Sequence, residues 1–193
     1  MAPRTRSTPY AVLGMLSLAP MSGYDIRKEA ASSIGYFWNE SYGQIYPALR
    51  ELQARGLAKR RSDRHAGHRD RQVYEITERG REALHLWRAE PPRTMPLRNE
   101  LLLKLFFGER SSVEHDVGWI EQVIREESEA LRQYRRIKHQ IMKEQRDHPS
   151  LPFWLITLSY GQHHSRAVLR WGRETLNALR AVEGGAARRG SAP

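Results

Sequence analysis

A glutamine and an arginine on one helix, followed by a dense run of arginines, are the residues of this chain best suited to chemistry with a partner. In the stretch Ser41-Tyr42-Gly43-Gln44-Ile45-Tyr46-Pro47-Ala48-Leu49-Arg50-Glu51-Leu52, Gln44 can pair bidentately with adenine, and Arg50 can read guanine or neutralise a phosphate. The hydroxyls of Ser41, Tyr42 and Tyr46 stand beside them. Around and past Gly56, Arg55, Lys59, Arg60, Arg61, Arg64, Arg69 and Arg71 face only Asp63 and Asp70 across seventeen residues, the strongest basic cluster of the chain. Such a cluster suits a polyanionic backbone.

Ile45, Leu49 and Leu52 recur at i, i+4 and i+7, which places them on one helical stripe opposite Gly43, Pro47, Arg50 and Ala54. The stripe predicts a helix that docks on a core and turns its other side outward. Ser41 and Gln44 have capping-box spacing at its start, and Gly56 suits its stop. Pro47 costs an interior helix roughly 3 kcal/mol, so a kinked or separately wound first turn is expected. Pro9 to Leu18 reads as a buried helix, and Met21-Ser22-Gly23-Tyr24 opens a second with Ser22 as cap and Gly35 at its end. Phe37 and Trp38 follow as a packing plug or pocket lining. Leu57 to Arg61 and Gln72 to Ile76 read as strands around His65-Ala66-Gly67-His68, and a Thr77-capped helix runs through Trp87 to Glu90-Pro91-Pro92. Three helices and a basic hairpin are the order of a winged helix-turn-helix.

The second half carries no strand signal. Asn99 to Phe107 reads as an apolar helix, and Ser111-Ser112-Val113-Glu114 as a capping box for a long one. In that helix Val113, Val117, Ile120, Ile124, Leu131, Tyr134 and Ile141 step by fours and threes, interrupted by Glu127 and Lys138. His148-Pro149 stops it. Ser150-Leu151-Pro152 begins a last helix with Phe153, Leu155, Ile156, Leu158, Leu169, Trp171, Leu176 and Leu179. The expected fold class is mainly α with a small β-hairpin wing: a winged helix-turn-helix domain over 1–92, a helical dimerisation and effector domain over 93–183, and a disordered tail over 184–193. Two long amphipathic helices expose more apolar surface than so small a domain covers, so homodimerisation is expected, with an intramolecular pack as the alternative. A twofold dimer would present two winged domains, about 34 Å apart, to a palindromic site.

Composition bounds the rest. With 193 residues, 39% of them hydrophobic, the chain can build real cores. It has no cysteine, which excludes disulfides, thiolate metal sites and a cysteine nucleophile. The net charge of +10 is shared equally between residues 1–92 and 93–193. Neither a signal peptide nor a run of roughly 20 apolar residues is present, so a cytoplasmic protein with no membrane partner is expected. An enzyme is not: His163-His164 and His65-xx-His68 lack nearby acidic ligands, adjacent histidines point to different faces of a helix, and no phosphate loop or nucleophile motif occurs. No metal or cofactor is expected. A rival to DNA binding is a protein-binding helical adaptor whose winged domain is a packing module.

Val12-Leu13-Gly14-Met15-Leu16, Met21-Ser22-Gly23-Tyr24-Asp25-Ile26, Gly35-Tyr36-Phe37-Trp38 and Gln44-Ile45-Tyr46-Pro47-Ala48-Leu49 resemble, in order and spacing, the PadR family of bacterial transcriptional regulators. Tyr74-Glu75-Ile76-Thr77-Glu78-Arg79-Gly80 is similar to its wing-to-helix passage, and Asn99 to Phe107 to the start of its helical C-terminal domain. The resemblance implies a homodimeric repressor on double-stranded DNA, with Ser41, Tyr42, Gln44, Tyr46 and Arg50 toward the major groove and Lys59, Arg60, Arg61, Arg64, Arg69 and Arg71 along the backbone. It also implies a small aromatic or hydrophobic effector that weakens DNA binding. Trp38, Trp119, Trp154 and Trp171 are the aromatic candidates for an effector pocket.

Overall fold

A computed structural model describes residues 7–35, 37–38, 41–61, 72–92, 98–108 and 112–190, without the side chains of Tyr42 and residues 185–190. The chain divides into two compact units, Met1–Thr94 and Met95–Pro193. The first contains α1 (Thr8–Leu18), β1 (Met21–Ser22), α2 (Gly23–Ser33), α3 (Tyr42–Ala54), β2 (Ala58–Arg61), β3 (Val73–Ile76) and α4 (Glu78–Ala89). The second contains α5 (Glu100–Phe106), α6 (Val113–Glu144) and α7 (Leu151–Gly190). The chain is thus mainly helical with one small antiparallel sheet, as the pattern of the sequence predicts.

The core of the first unit is Val12, Leu13, Met15 and Leu16 of α1, Ile26 and Ala30 of α2, Ile45, Ala48, Leu49 and Leu52 of α3, and Leu57, Ala58, Tyr74 and Ile76 of the sheet. Each helix contributes the stripe its apolar spacing defines. α1 starts with Pro9 in its first turn, where a missing N–H costs nothing. Tyr10 stacks on Trp87 at 4.9 Å between ring centroids, tying the end of α4 to α1.

The sheet is larger than the hairpin expected from sequence. Its order is β1-β3-β2, with Met21 opposite Tyr74 and Ser22 opposite Val73. Two residues leave no periodicity to detect, so β1 exists only because β3 offers it a free edge. At the other edge Ala58, Lys59, Arg60 and Arg61 face Ile76, Glu75, Tyr74 and Val73.

Two glycines let α3, the sheet and α4 meet. Gly56 takes φ 69° and turns the chain out of α3. Gly80 packs so closely that a Cβ there would lie 2.0 Å from the Leu57 carbonyl oxygen. Thr77 locks the junction, accepting from the Gly80 amide at 3.0 Å while donating to the Gly56 carbonyl at 2.8 Å.

In the second unit Asn99 caps α5 by accepting from the Leu102 amide at 3.1 Å. α6 and α7 form an antiparallel hairpin through a short connection: Gly172 of α7 lies against Ile120 and Ile124 of α6. The predicted seam residues of α6 are all buried or half-buried, with Ile120 and Tyr134 the most enclosed. Burial pushes the Tyr134 phenol above its ordinary pKa, with the Ser165 hydroxyl pulling the other way. α7 runs through Gly184-Gly185 to Gly190, into the stretch expected to be a disordered tail. Ala186, Ala187, Arg188 and Arg189 are strong helix formers, and they offset two glycines that cost about 1 kcal/mol each.

The packing predicts opposite outcomes for two alanine substitutions. Gly80→Ala forces a methyl into backbone and should lower stability by about 3 kcal/mol or more in chemical denaturation. Gly14→Ala, on α1 with nothing within 4 Å of the new methyl, should leave it unchanged or raise it by up to about 1 kcal/mol.

Candidate nucleic-acid interface

α3 is one continuous helix despite Pro47. The proline falls early enough that only the Gly43 carbonyl loses its helical donor, and Gly43 is exposed, so water can replace it. The expected break is therefore absent. Ile45, Ala48, Leu49 and Leu52 are buried at 0–3% exposure, while Gly43, Gln44, Tyr46 and Arg50 are exposed. Docking α3 on the core thus turns Ser41, Gln44, Tyr46 and Arg50 outward together; Tyr42 begins the helix, its side chain outside the described set.

Gln44 has a second duty. Its Oε1 accepts from the Ser41 amide at 3.0 Å and from the Ser41 hydroxyl at 3.1 Å, which fixes the helix start. Bidentate pairing with adenine needs that same oxygen as acceptor. With the cap intact, only the Nε2 donor of Gln44 is available to a partner.

On the hairpin, alternation divides the cations. Lys59 and Arg61 share one face of β2, and Arg60 shares the other with buried Ala58. Lys59 makes an ion pair with Glu75, directly opposite it on β3, at 3.0 Å. That partner escaped sequence reading because it is set by strand register; counting residues back from the Thr77 cap on both sides of the hairpin was the available signal. Arg60 and Arg61 are both exposed. Arg64, Arg69 and Arg71, with His65 and His68, lie outside the described residues. Arg55, at the end of α3, pairs with Glu51 at 3.2 Å.

The four tryptophans do not form one lining. Trp38 is half-buried after α2, its amide donating to the Ile34 carbonyl at 2.8 Å, whereas Phe37 beside it is 48% exposed. Trp119 lies two turns into α6, with the Lys104 ammonium 5.2 Å from its ring centroid. Trp154 stacks on His148 at 4.4 Å beside the α6–α7 connection. At 1.5 Å of rise per residue, Trp119 and Trp154 stand roughly 35 Å apart along the hairpin. Trp171 is half-buried at the level of Ile120 and Ile124, so only Trp119 and Trp171 share an end of this unit. His163 and His164 are exposed on α7, and no group of three metal-ligating side chains occurs among the described residues. Among the described residues no helix is long and apolar enough to cross a membrane.

Comparison with known proteins agrees with this architecture. Residues 12–86 match the transcriptional regulator PadR-like family, and residues 97–180 match the virulence activator alpha C-terminal family. The negative transcriptional regulator PadR of Bacillus subtilis is 34% identical over 105 residues, which is 53% of this chain and 57% of that protein. The chain spans about half the length of the curated relatives it matches. Among solved structures, the Vibrio cholerae virulence activator AphA is 28% identical with a TM-score of 0.71, over 91% of this chain and 99% of that one. Bacillus subtilis PadR in complex with operator DNA has the same fold, with a TM-score of 0.76 at 23% identity over 90% and 99%. It has also been solved with p-coumaric acid, with a TM-score of 0.70 at 22% identity over 91% and 99%.

The double role of Gln44 separates two substitutions. Gln44→Glu keeps an acceptor for the Ser41 amide and should leave stability within about 0.5 kcal/mol, while Gln44→Ala should cost about 1 kcal/mol by loss of the cap. Both remove the Nε2 donor, so the pair separates the cap from any contact that donor makes with a partner. Equal melting temperatures for the two variants would show that the cap contributes nothing.

Proposed function

We propose that this chain, which belongs to the PadR-like family of transcriptional regulators, reads duplex DNA with α3 and holds the backbone with the β2–β3 hairpin, as a homodimeric repressor released by a small aromatic effector. One observation carries the DNA assignment: a single docked helix turns Ser41, Gln44, Tyr46 and Arg50 outward, ahead of a hairpin edge bearing Lys59, Arg60 and Arg61. Ser41, Tyr42, Gln44, Tyr46 and Arg50 address the major groove. Lys59, Arg60 and Arg61, continued by Arg64, Arg69 and Arg71, neutralise phosphates. The ion pair with Glu75 discounts Lys59. The repressor sense is supported by the negative role of the 34%-identical Bacillus subtilis regulator.

The second unit supplies the argument for a dimer. Phe153, Ile156 and Tyr160 form an i, i+3, i+7 stripe on α7, and all three are at least 60% exposed. Leu102, Leu103, Phe106 and Phe107 on and beside α5 are exposed as well. Apolar stripes of this extent on a small helical unit mark a surface that a second copy can cover. The effector is supported by the complex of Bacillus subtilis PadR with p-coumaric acid, and within the second unit the half-buried Trp119 and Trp171 are the pair that could face one ligand; Trp154 would need a separate site.

Selection of bound sequences from random duplexes tests the core of this assignment. A palindrome with half-sites spaced by one helical turn is expected; a sequence-indifferent pool would leave the helical-adaptor alternative. In the same assay, replacing Arg60 and Arg61 by alanine should flatten the dependence of log K on log salt by about one to two units. An unchanged slope removes them from the interface. Ile156→Glu should keep helicity and weaken self-association by at least about tenfold in sedimentation equilibrium, since it buries a charge in the pair. A dimer of unaltered affinity would place the interface elsewhere.

A further inference from the structure

Among the described side chains Tyr46 is the largest exposed one on the outward face of α3, and it does not simply extend into solvent. Its ring lies against the Cα of Gly23, the first residue of α2. A Cβ built on Gly23 would stand 2.8 Å from Cε1 of Tyr46, 2.9 Å from Cζ and 3.2 Å from the hydroxyl oxygen. Contacts below 3 Å are not tolerated by real methyl groups, so the ring occupies space that only glycine leaves open.

Gly23 itself cannot retreat. On one side β1 pairs Met21 and Ser22 with Tyr74 and Val73. On the other, Ser22 and Asp25 form a reciprocal cap: the Asp25 amide donates to Ser22 Oγ at 3.2 Å, and the Ser22 amide donates to Asp25 Oδ2 at 3.1 Å. The backbone at Gly23 is held by sheet and cap together, whereas the atoms that a Cβ would meet are the far end of the Tyr46 side chain. A methyl at position 23 is therefore answered by the tyrosine.

We propose that Gly23 is a positioning residue for DNA binding: its bare Cα seats the Tyr46 ring at the start of α2, which aims the phenol hydroxyl at a backbone phosphate where the two helices converge. A ring pinned to α2 does not lie along the groove floor with Gln44 and Arg50. In a helix-turn-helix the helix preceding the recognition helix crosses the backbone, so the start of α2 is where a phosphate passes. A tyrosine hydroxyl held there donates a charge-assisted hydrogen bond with little entropy left to lose. This rests on the DNA-binding role proposed above, and it changes the contribution of Tyr46 from sequence reading to register.

The test uses the full chain and four proteins: wild type, Gly23→Ala, Tyr46→Phe and the double variant. Each is titrated with a duplex recovered by selection and with a scrambled duplex. Gly23→Ala should melt at or above the wild-type temperature, because alanine is the better helix former and Gly23 does not have positive φ. Each single variant should bind both duplexes roughly tenfold more weakly, and the double no more weakly than either single, since both remove one contact. Wild-type affinity in Gly23→Ala, additive losses in the double, losses confined to the recovered sequence, or a marked drop in melting temperature would each overturn the clamp. A wild type that binds both duplexes alike defeats sequence reading but leaves the clamp measurable on either. A wild type that binds no duplex overturns both.

Discussion

The burial of one face of α3 is the constraint on which the first unit depends. Ile45, Leu49 and Leu52 are fully enclosed among α1, α2 and the sheet. Each is worth about 1.5–3 kcal/mol relative to an exposed side chain. Rotating α3 to offer another face would expose all three at once, so the helix has one rotational setting. The outward residues inherit that setting: it carries Gln44 and Arg50 to the outside, and Tyr46 is seated against Gly23. Pro47 is tolerated because burial of the stripe outweighs one missing hydrogen bond near an exposed first turn.

Around this helix, polar groups do two jobs each. Gln44 closes the start of α3 and keeps one donor for a partner. Thr77 caps α4 and clasps the turn after α3. Ser22 pairs in the sheet and caps α2. A small domain has few residues to spend on caps, and such sharing couples the surface it presents to the integrity of its helix ends. Lys59 shows the opposite economy: Glu75 makes it part of the hairpin.

The second unit follows a different rule. α6 and α7 bury one seam against each other, with Ile120, Tyr134, Leu158, Ser165 and Leu169 enclosed along it. Two helices have only one mutual interface, and their remaining apolar residues stay outside it. Phe153, Ile156 and Tyr160 are exposed for this geometric reason.

Much was legible in the residues alone. The helical stripes, the Ser22 and Thr77 caps, the strands of the hairpin, the stop at Gly56 and the long α6 seam all follow from local rules: spacing, cap chemistry and turn residues act over a few positions, and the chain states them directly. The PadR-like organisation was legible for the same reason, since its strings are local. What the sequence could not decide depends on residues distant in the chain. β1 forms because β3 passes beside it, Lys59 meets Glu75 through strand register, and Trp119 and Trp154 separate because they lie far apart on long helices. Gly23 reads in sequence only as the residue after a cap; folding brings it under the ring of Tyr46, because the packing of α2 on α3 leaves no room there for a methyl group.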